Sequence, residues 1–269
     1  MSSSKFTRQD NINFYDDQKF NYEDFWIGRD YEHQSEIIAL KKLLTGKHYK
    51  TAMDYGGGYG RLSKIILEHA DHLYLVEPSK KQLELAKIKL KGVKNVDFML
   101  LTDKNLIPVP DKSMDLVVMV RVAQHLTELN GIFSEIGRIL KPKGHAIIEI
   151  ANYVHIINRL KYLSRFKRLP KQPTKIGSIS NGIVDDTPFV NHNPKTVANE
   201  LKSHQLKIIN TLSVSNFRNG GIKKVITTKR LTKIESLLQQ KLAPIFFGPS
   251  IFFMVEKVLR FGASIKLIK

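Results

Sequence analysis

One run, Asp54-Tyr55-Gly56-Gly57-Gly58-Tyr59-Gly60, constrains this 269-residue chain more than any other feature. It ends a short apolar strand, Lys50–Tyr55, and leads into helical spacing from Arg61 to His69, where Leu62, Ile65 and Ile66 share a face. Glycines at 56, 58 and 60 allow a tight turn and let a ligand approach main chain where a Cβ would collide. A dinucleotide fingerprint needs glycines at i, i+2 and i+5, but Arg61 and Ser63 fall at the last position, so that pattern fails. No Gly-Lys-Ser/Thr follows, which excludes a P-loop. A purely structural turn would show the same glycines, so their meaning rests on what lies further along.

Downstream, apolar runs alternate with helical periodicity. Strands are predicted at His72–Glu77, Val96–Leu101, Asp115–Arg121 and His145–Ala151, nearly continuous in apolar residues, as in sheets buried on both faces. After the first of these, Ser79 suits an N-cap and Gly92 a stop for a helix through Lys91. A helix over 127–140 stops at Lys141-Pro142-Lys143-Gly144. This alternation specifies an α/β domain with a parallel sheet. After Ala151 the rhythm changes to a basic amphipathic helix over 154–169 and a loop over 170–193. A helix Pro194–His204, a strand Leu206–Val214, a helix over 231–241 and a strand Ser250–Val258 complete the pattern. The implied organisation is an N-terminal arm and helix over 1–45 and one domain over 46–269, carrying an insertion at 152–193.

Composition narrows the classes. Cysteine is absent, which removes disulfides, thiolate zinc sites and cysteine nucleophiles together and fits a cytoplasmic protein. No apolar signal core follows Met1-Ser2-Ser3-Ser4-Lys5, so a secretion leader is not expected. The most apolar late stretch, Ala243 to Val255, is 13 residues long and broken by Gly248 and Pro249. A bilayer span needs about 20. Charge is a sharper constraint: residues 1–150 carry 22 Lys/Arg against 20 Asp/Glu, whereas 151–269 carry 21 against 5. An anionic partner is expected for the second half, whether membrane surface, nucleic acid or acidic substrate. Solubility alone would favour the same lysines.

Two acids sit where a nucleoside needs them. Glu77 ends the second strand, where a carboxylate can accept both hydrogen bonds of a ribose diol. Asp103 follows the third strand, within reach of an adenine amino group, with the Lys104 N–H beside it; a plain turn would also use an aspartate there. At this point the chain resembles the class I S-adenosylmethionine-dependent methyltransferases, particularly the subgroup that includes quinone-biosynthesis C-methyltransferases. The resemblance is carried by MDYGGGYGRLS, LYLVEPS, LTDKNLIPVPDKSMDLVVMVRVAQHL and IGRILKPKGHAIIEI, between about residues 50 and 151. It implies a Rossmann-like α/β fold: a seven-stranded, mostly parallel sheet with one antiparallel strand and helices on both faces. It also implies S-adenosylmethionine as cofactor. Asp54, Tyr55, Gly56 and Gly58 would hold the methionine end, Glu77 the ribose, Pro78 the flank of the adenine, and Asp103 and Lys104 its ring. Val120 and Arg121 would pass beneath the sulfonium and floor the acceptor pocket. Two departures are Lys143, where the family often has glycine, and Tyr59, larger than the usual residue.

Methyl transfer is an in-line displacement, so alignment comes first and a base is needed only when the acceptor gives up a proton. Candidates on the acceptor side are His125, Arg121, Asn152, Tyr153 and His155, with His125 and Arg121 the expected catalytic pair. His125, at a place where the family commonly has histidine, also suits a structural role. The stretch Tyr22 to Glu32 looks like the family's lid segments, in which Arg29 would pair with the donor's carboxylate. The expected acceptor is a small molecule, lipid-linked or glycosidic, with peripheral contact to an anionic membrane at the inner membrane face. In the basic helix, Ile156, Leu160, Leu163 and Phe166 share a face flanked by cations, the composition of an interfacial helix. A helix packed on the core with a solvated basic face reads alike. The alternative is an RNA or DNA methyltransferase that binds nucleic acid through the basic half. Against it, Val120-Arg121-Val122-Ala123 stands where amino-directed nucleic-acid methyltransferases carry Asp/Asn-Pro-Pro-aromatic.

Overall fold

The computed structural model describes residues 15–16, 26–102, 106–180 and 183–259, the stretch 175–188 by its backbone only. Helix α1 (Asp30–Leu44) leads into β1 (Tyr49–Tyr55), α2 (Ser63–Leu67), β2 (Ala70–Glu77), α3 (Lys80–Lys89) and β3 (Val96–Leu100). Next come β4 (Met114–Met119), α4 (Asn130–Ile139), β5 (Leu140–Ala151), α5 (Ile156–Leu163), β6 (Thr174–Ser180) and β7 (Ile183–Asn191). The chain continues through α6 (Pro194–Ser203), β8 (Leu206–Val214), α7 (Gly220–Val225), α8 (Thr228–Leu242) and β9 (Ser250–Lys257).

Seven strands form one sheet in the order β3-β2-β1-β4-β5-β9-β8. Only β9 runs against its neighbours, pairing antiparallel with both β5 and β8. This is the Rossmann-like arrangement, and the order reverses between β1 and β4. Open α/β sheets bind ligands at such a reversal, beyond the carboxyl ends of the strands.

The continuous apolar runs have a direct cause in packing. On β4, Leu116 and Val118 pack with Leu40 and Leu44 of α1, while the alternate residues Val117 and Met119 pack with Phe133 and Ile136 of α4. Successive side chains point to opposite faces and both faces are covered, so neither set can be polar. The helix starts follow local chemistry. The Ser79 hydroxyl caps α3 by accepting from the Gln82 N–H at 3.1 Å. Asn193 caps α6, with Pro194 in the first turn, where a missing N–H costs nothing.

Several boundaries differ from the sequence reading. The helix expected from Arg61 is only Ser63–Leu67, because the glycine loop continues as turns to Leu62. Strand β5 begins at Leu140, carrying Lys143 at φ +63° through what was expected to be only a stop. The basic helix is trimmed to Ile156–Leu163. The expected loop over 170–193 is instead largely a hairpin of β6 and β7. Its sequence is poor in the regular alternation that signals a strand, so pairing rather than local propensity makes it extended. The insertion leaves and rejoins the sheet at one place: His192 N–H donates to Ala151 O, and Tyr153 N–H to His192 O.

Candidate active site

The turn after β1 is fixed by main-chain geometry. Gly56 has φ +68°, and a Cβ there would lie 2.3 Å from Val122 Cγ2, so any other residue would be strained and would have to displace the Val122 side chain. The Gly56 N–H donates to Val76 O of β2 at 2.7 Å, and the Gly58 N–H to Glu77 Oε2 at 2.9 Å. The other carboxylate oxygen, Oε1, accepts from the Ser79 N–H at 3.0 Å. Two backbone donors therefore orient Glu77, which is only 6% exposed, on a cavity wall. Tyr59 is buried in this turn with the Lys89 ammonium 4.1 Å from its ring centre, so its size is used in packing. Behind the turn, Asp54 Oδ2 accepts from the Ser63 hydroxyl at 2.6 Å. Burial pushes the Asp54 carboxyl up to about 6, against the opposing pull of Ser63 and the Arg61 charge.

These groups open onto a cavity of about 620 Å³ at the sheet reversal. That lies within the roughly 300–1,000 Å³ typical of cofactor pockets. Asp54, Tyr55, Gly56, Gly58, Glu77, Pro78, Val120 and Arg121 all line it. Asp103 and Lys104 lie outside the described residues. Gln82, which the sequence reading passed over, is also in the wall. Its side chain is 1% exposed, and neither amide atom has a partner among the described residues. A buried unpaired amide costs about 1–3 kcal/mol per group, which a nucleoside's hydroxyls or ring nitrogens would relieve. Glycine backbone, an oriented acid and an orphaned amide on one wall fit an adenosyl ligand.

The comparisons with known proteins agree with this geometry. A family model described as a methyltransferase domain matches residues 53–148. The demethylmenaquinone methyltransferase of Tropheryma whipplei (strain Twist) is 26% identical over 110 residues, covering 41% of this chain and 45% of that protein. The uncharacterized methyltransferase YcgJ of Bacillus subtilis is 27% identical over 120 residues, 40% of this chain and 47% of the relative. The chain therefore matches somewhat under half the length of these relatives. A putative S-adenosylmethionine-dependent methyltransferase from Listeria monocytogenes superposes with a TM-score of 0.61 at 16% identity, over 84% of this chain and 98% of that one. Residues 53–148 thus match a methyltransferase domain, and the chain has the Rossmann-like fold of the solved methyltransferase it superposes on. The wall just described is the part of this fold whose residues fit an adenosyl group.

The far wall of this cavity is built from distant segments. Arg121 follows β4 with φ +65°, and its N–H donates to the buried Glu149 Oε2 at 2.9 Å. The Arg121 Nε donates to Glu36 Oε1 at 2.7 Å, and Arg61 to Glu36 Oε2 at 2.5 Å. Burial alone would raise the Glu36 carboxyl, but Arg121 and Arg61 outweigh it and hold the group below the usual range. The Trp26 ring stacks on the Arg61 guanidinium at 3.8 Å, with Arg121 at 5.1 Å. Sequence reasoning named Arg121, and Trp26 only within the lid stretch, but neither Glu36 nor Arg61 as site residues, since only the fold brings positions 26 to 121 together.

His125 lies in a 3₁₀ turn, Ala123–His125, and lines the cavity. Burial, and then the Arg121 charge, lower its imidazole to about 4. Its Nε2 is 3.1 Å from the Tyr15 hydroxyl, and the Phe189 ring packs against it at 5.4 Å. The turn itself is pinned by His192 Nε2, which bonds Ala123 O at 3.0 Å. Next to Tyr15, Asp16 Oδ1 accepts from the Ser79 hydroxyl at 2.6 Å. Residues 15–16 therefore bridge the end of β2 and the far wall. Of the expected lid stretch Tyr22–Glu32, residues 22–25 lie outside the described residues.

The other candidates stand apart from the cavity lining. Arg29 is half-buried at the start of α1, and its charge, after burial and Arg121, helps lower the Arg218 guanidinium to about 10. Asn152 Nδ2 donates to Phe246 O and Gly248 O, a structural tie. The Tyr153 hydroxyl meets Tyr162 at 2.8 Å, and that bond, with burial, pushes it up to about 12. His155 precedes α5, its imidazole lowered by burial and by Arg218 and Arg159.

Proposed function

We propose that this chain transfers the methyl group of S-adenosylmethionine to a small-molecule acceptor with an apolar body, of the lipid-linked or glycosidic kind, by in-line displacement. One observation carries the reading: a single cavity is lined both by Glu77 and the glycine turn and by the apolar side chains of Val122, Leu126 and Ile132, with His125 in the same lining. The quinone-methylating relative acts on an apolar molecule by its name, which supports the same acceptor class.

When bound, S-adenosylmethionine supplies a methyl already activated on a sulfonium. The chain's own residues then have three tasks. Glu77 and the glycine-loop backbone hold the nucleoside in register. Val120 and Arg121 shape the floor, where buried Glu36 fixes the arginine and spares the acceptor a mobile charge. His125, neutral near pH 7, holds the Tyr15 hydroxyl at the cavity, a positioning role beside the acceptor.

Titration calorimetry is expected to show binding of S-adenosylmethionine and of its demethylated product, and none of NAD. Replacing Glu77 by Ala should weaken donor binding by about 2 kcal/mol, the range of a charge-assisted hydrogen bond. The activity test is formation of S-adenosylhomocysteine with a panel of apolar phenols, hydroxyquinones and glycosides against tRNA and duplex DNA. Turnover on nucleic acid alone would overturn the acceptor assignment and favour the basic half as a nucleic-acid surface.

A further inference from the structure

The exposed face of α5 is apolar, although helices of this kind ordinarily bury that face. Ile157 is 54% exposed, Leu160 59% and Leu163 71%, and no residue of the helix is fully buried. Of the two readings that the sequence allowed, packing on the core is therefore not the one adopted; Ile156 alone of the expected apolar set is half-buried. The opposite side is tied to the domain. Asn158 Nδ2 donates to Tyr153 O, Arg159 Nε to Val154 O, and the Tyr162 hydroxyl meets Tyr153.

The helix ends in a turn with an unusual occupant. Lys167 N–H bonds Tyr162 O and Phe166 N–H bonds Leu163 O, while Phe166 adopts φ +52°. Glycine is the residue that suits this left-handed C-terminal position. A phenylalanine there, 98% exposed, strains the backbone and hides no apolar surface within the chain. Around it stand Lys161, Arg165, Lys167, Arg168 and Lys171, all exposed, and no acidic residue occurs between Glu149 and Asp185.

We propose that α5 and the turn at Phe166 dock on an anionic lipid bilayer. Ile157, Leu160, Leu163 and Phe166 enter the boundary between headgroups and acyl chains, and the surrounding cations meet lipid phosphates. Charge decides among occupants. A second copy of this face would bring like charges together. Nucleic acid would engage the cations but leave three aliphatic side chains in water, since its protein contacts favour stacking aromatics. An anionic bilayer satisfies both halves of the patch. Because α5 follows the carboxyl end of β5, docking also places the insertion beside the end of the sheet that bears the cavity. Among the described residues no helix is long and apolar enough to cross a membrane, so the contact is peripheral.

The test is co-sedimentation of the full chain with vesicles of equal parts phosphatidylglycerol and phosphatidylcholine, against phosphatidylcholine alone. Binding only to the anionic vesicles, with release by added salt, is expected. Each engaged cation multiplies partitioning roughly fivefold, so the triple change Arg165→Glu, Lys167→Glu, Arg168→Glu should reduce it about a hundredfold or more. The triple change Leu160→Ser, Leu163→Ser, Phe166→Ser should also remove most binding while leaving all cations in place. Donor affinity by calorimetry, unchanged in both variants, shows that they are folded and keeps this test separate from the methyltransferase reading. Wild-type protein that ignores anionic vesicles overturns the proposal, whether or not it binds RNA or self-associates. So does a serine variant that binds as wild type does.

Discussion

At the donor wall, Gly56, Gly58 and Glu77 are held by backbone geometry within a stretch of 22 residues. At the far wall, Arg121 and His125 are placed by side chains: Glu36 and Trp26 from the N-terminal region, Glu149 from β5 and His192 from the end of the insertion. Main-chain constraints admit few residues and little adjustment, because a changed φ or an added Cβ moves the chain itself. A wall made of side chains from separate segments can be refitted without disturbing the sheet. The donor end is thus the part of the cavity least free to vary, and the acceptor end the part that can be reshaped for a particular molecule.

A change in the turn should show the difference most strongly. Gly56→Ala combines a left-handed φ with a Cβ placed 2.3 Å from Val122, costs of about 1–3 kcal/mol each, and should destabilise the fold by about 4 kcal/mol. Donor binding by calorimetry should fall below detection. Gly92 makes the fair control: its φ is +80°, but a Cβ there meets open space. Gly92→Ala should cost only about 1 kcal/mol and leave donor affinity unchanged. Equal effects at the two glycines would mean that the close approach to Val122 is not what makes the donor wall rigid.

Asp54 tests the same wall by pH. Its folded value of about 6 lies above the ordinary 3.8, so the fold favours the protonated form. The resulting stability is complete below pH ~4 and is lost as pH rises through ~6, a change on the order of 3 kcal/mol. Denaturant unfolding of wild type and Asp54→Asn between pH 4 and 8 isolates it, since asparagine has nothing to titrate. Parallel curves for the two proteins would show that Asp54 ionises freely and that its burial is compensated.

What could be read from the sequence follows the same division. The loop glycines, Glu77 and Ser79 are legible because each acts through its own backbone or that of near neighbours, and the apolar strands because both sheet faces are covered. The sheet's seven strands, one of them antiparallel, came with the family resemblance rather than from the pattern, and their order only with the structure. Gln82 left a trace: it sits on the buried side of α3, one turn before Ala86, where a polar residue needs a reason. The Glu36–Arg61–Arg121 cluster left none, since three charged residues 25 and 60 positions apart carry no local signal. The β6–β7 hairpin was missed for the related reason that its extension depends on pairing.

The smallest expected effect lies at the far wall. His125 is neutral at working pH, which a base requires. Yet with a value of about 4 it binds a proton weakly, because burial and the Arg121 charge both oppose the imidazolium. General-base efficiency is greatest when the base titrates near the working pH, so this imidazole contributes less than one at 6–7 would. Its bond to the Tyr15 hydroxyl favours a positioning role, holding the bridge of residues 15–16 across the cavity. His125→Gln, which keeps a hydrogen-bonding group for Tyr15, should lower kcat about tenfold, or about 1.4 kcal/mol, with donor Kd unchanged. The pH profile of kcat should stay flat between pH 6 and 9 in both proteins. His125→Phe removes the polar partner and should lose more, with Tyr15→Phe in the wild-type background reproducing part of the loss. A hundredfold or greater drop in His125→Gln that Tyr15→Phe does not share would make the imidazole itself the proton acceptor. The far wall would then be as demanding chemically as the donor wall is geometrically.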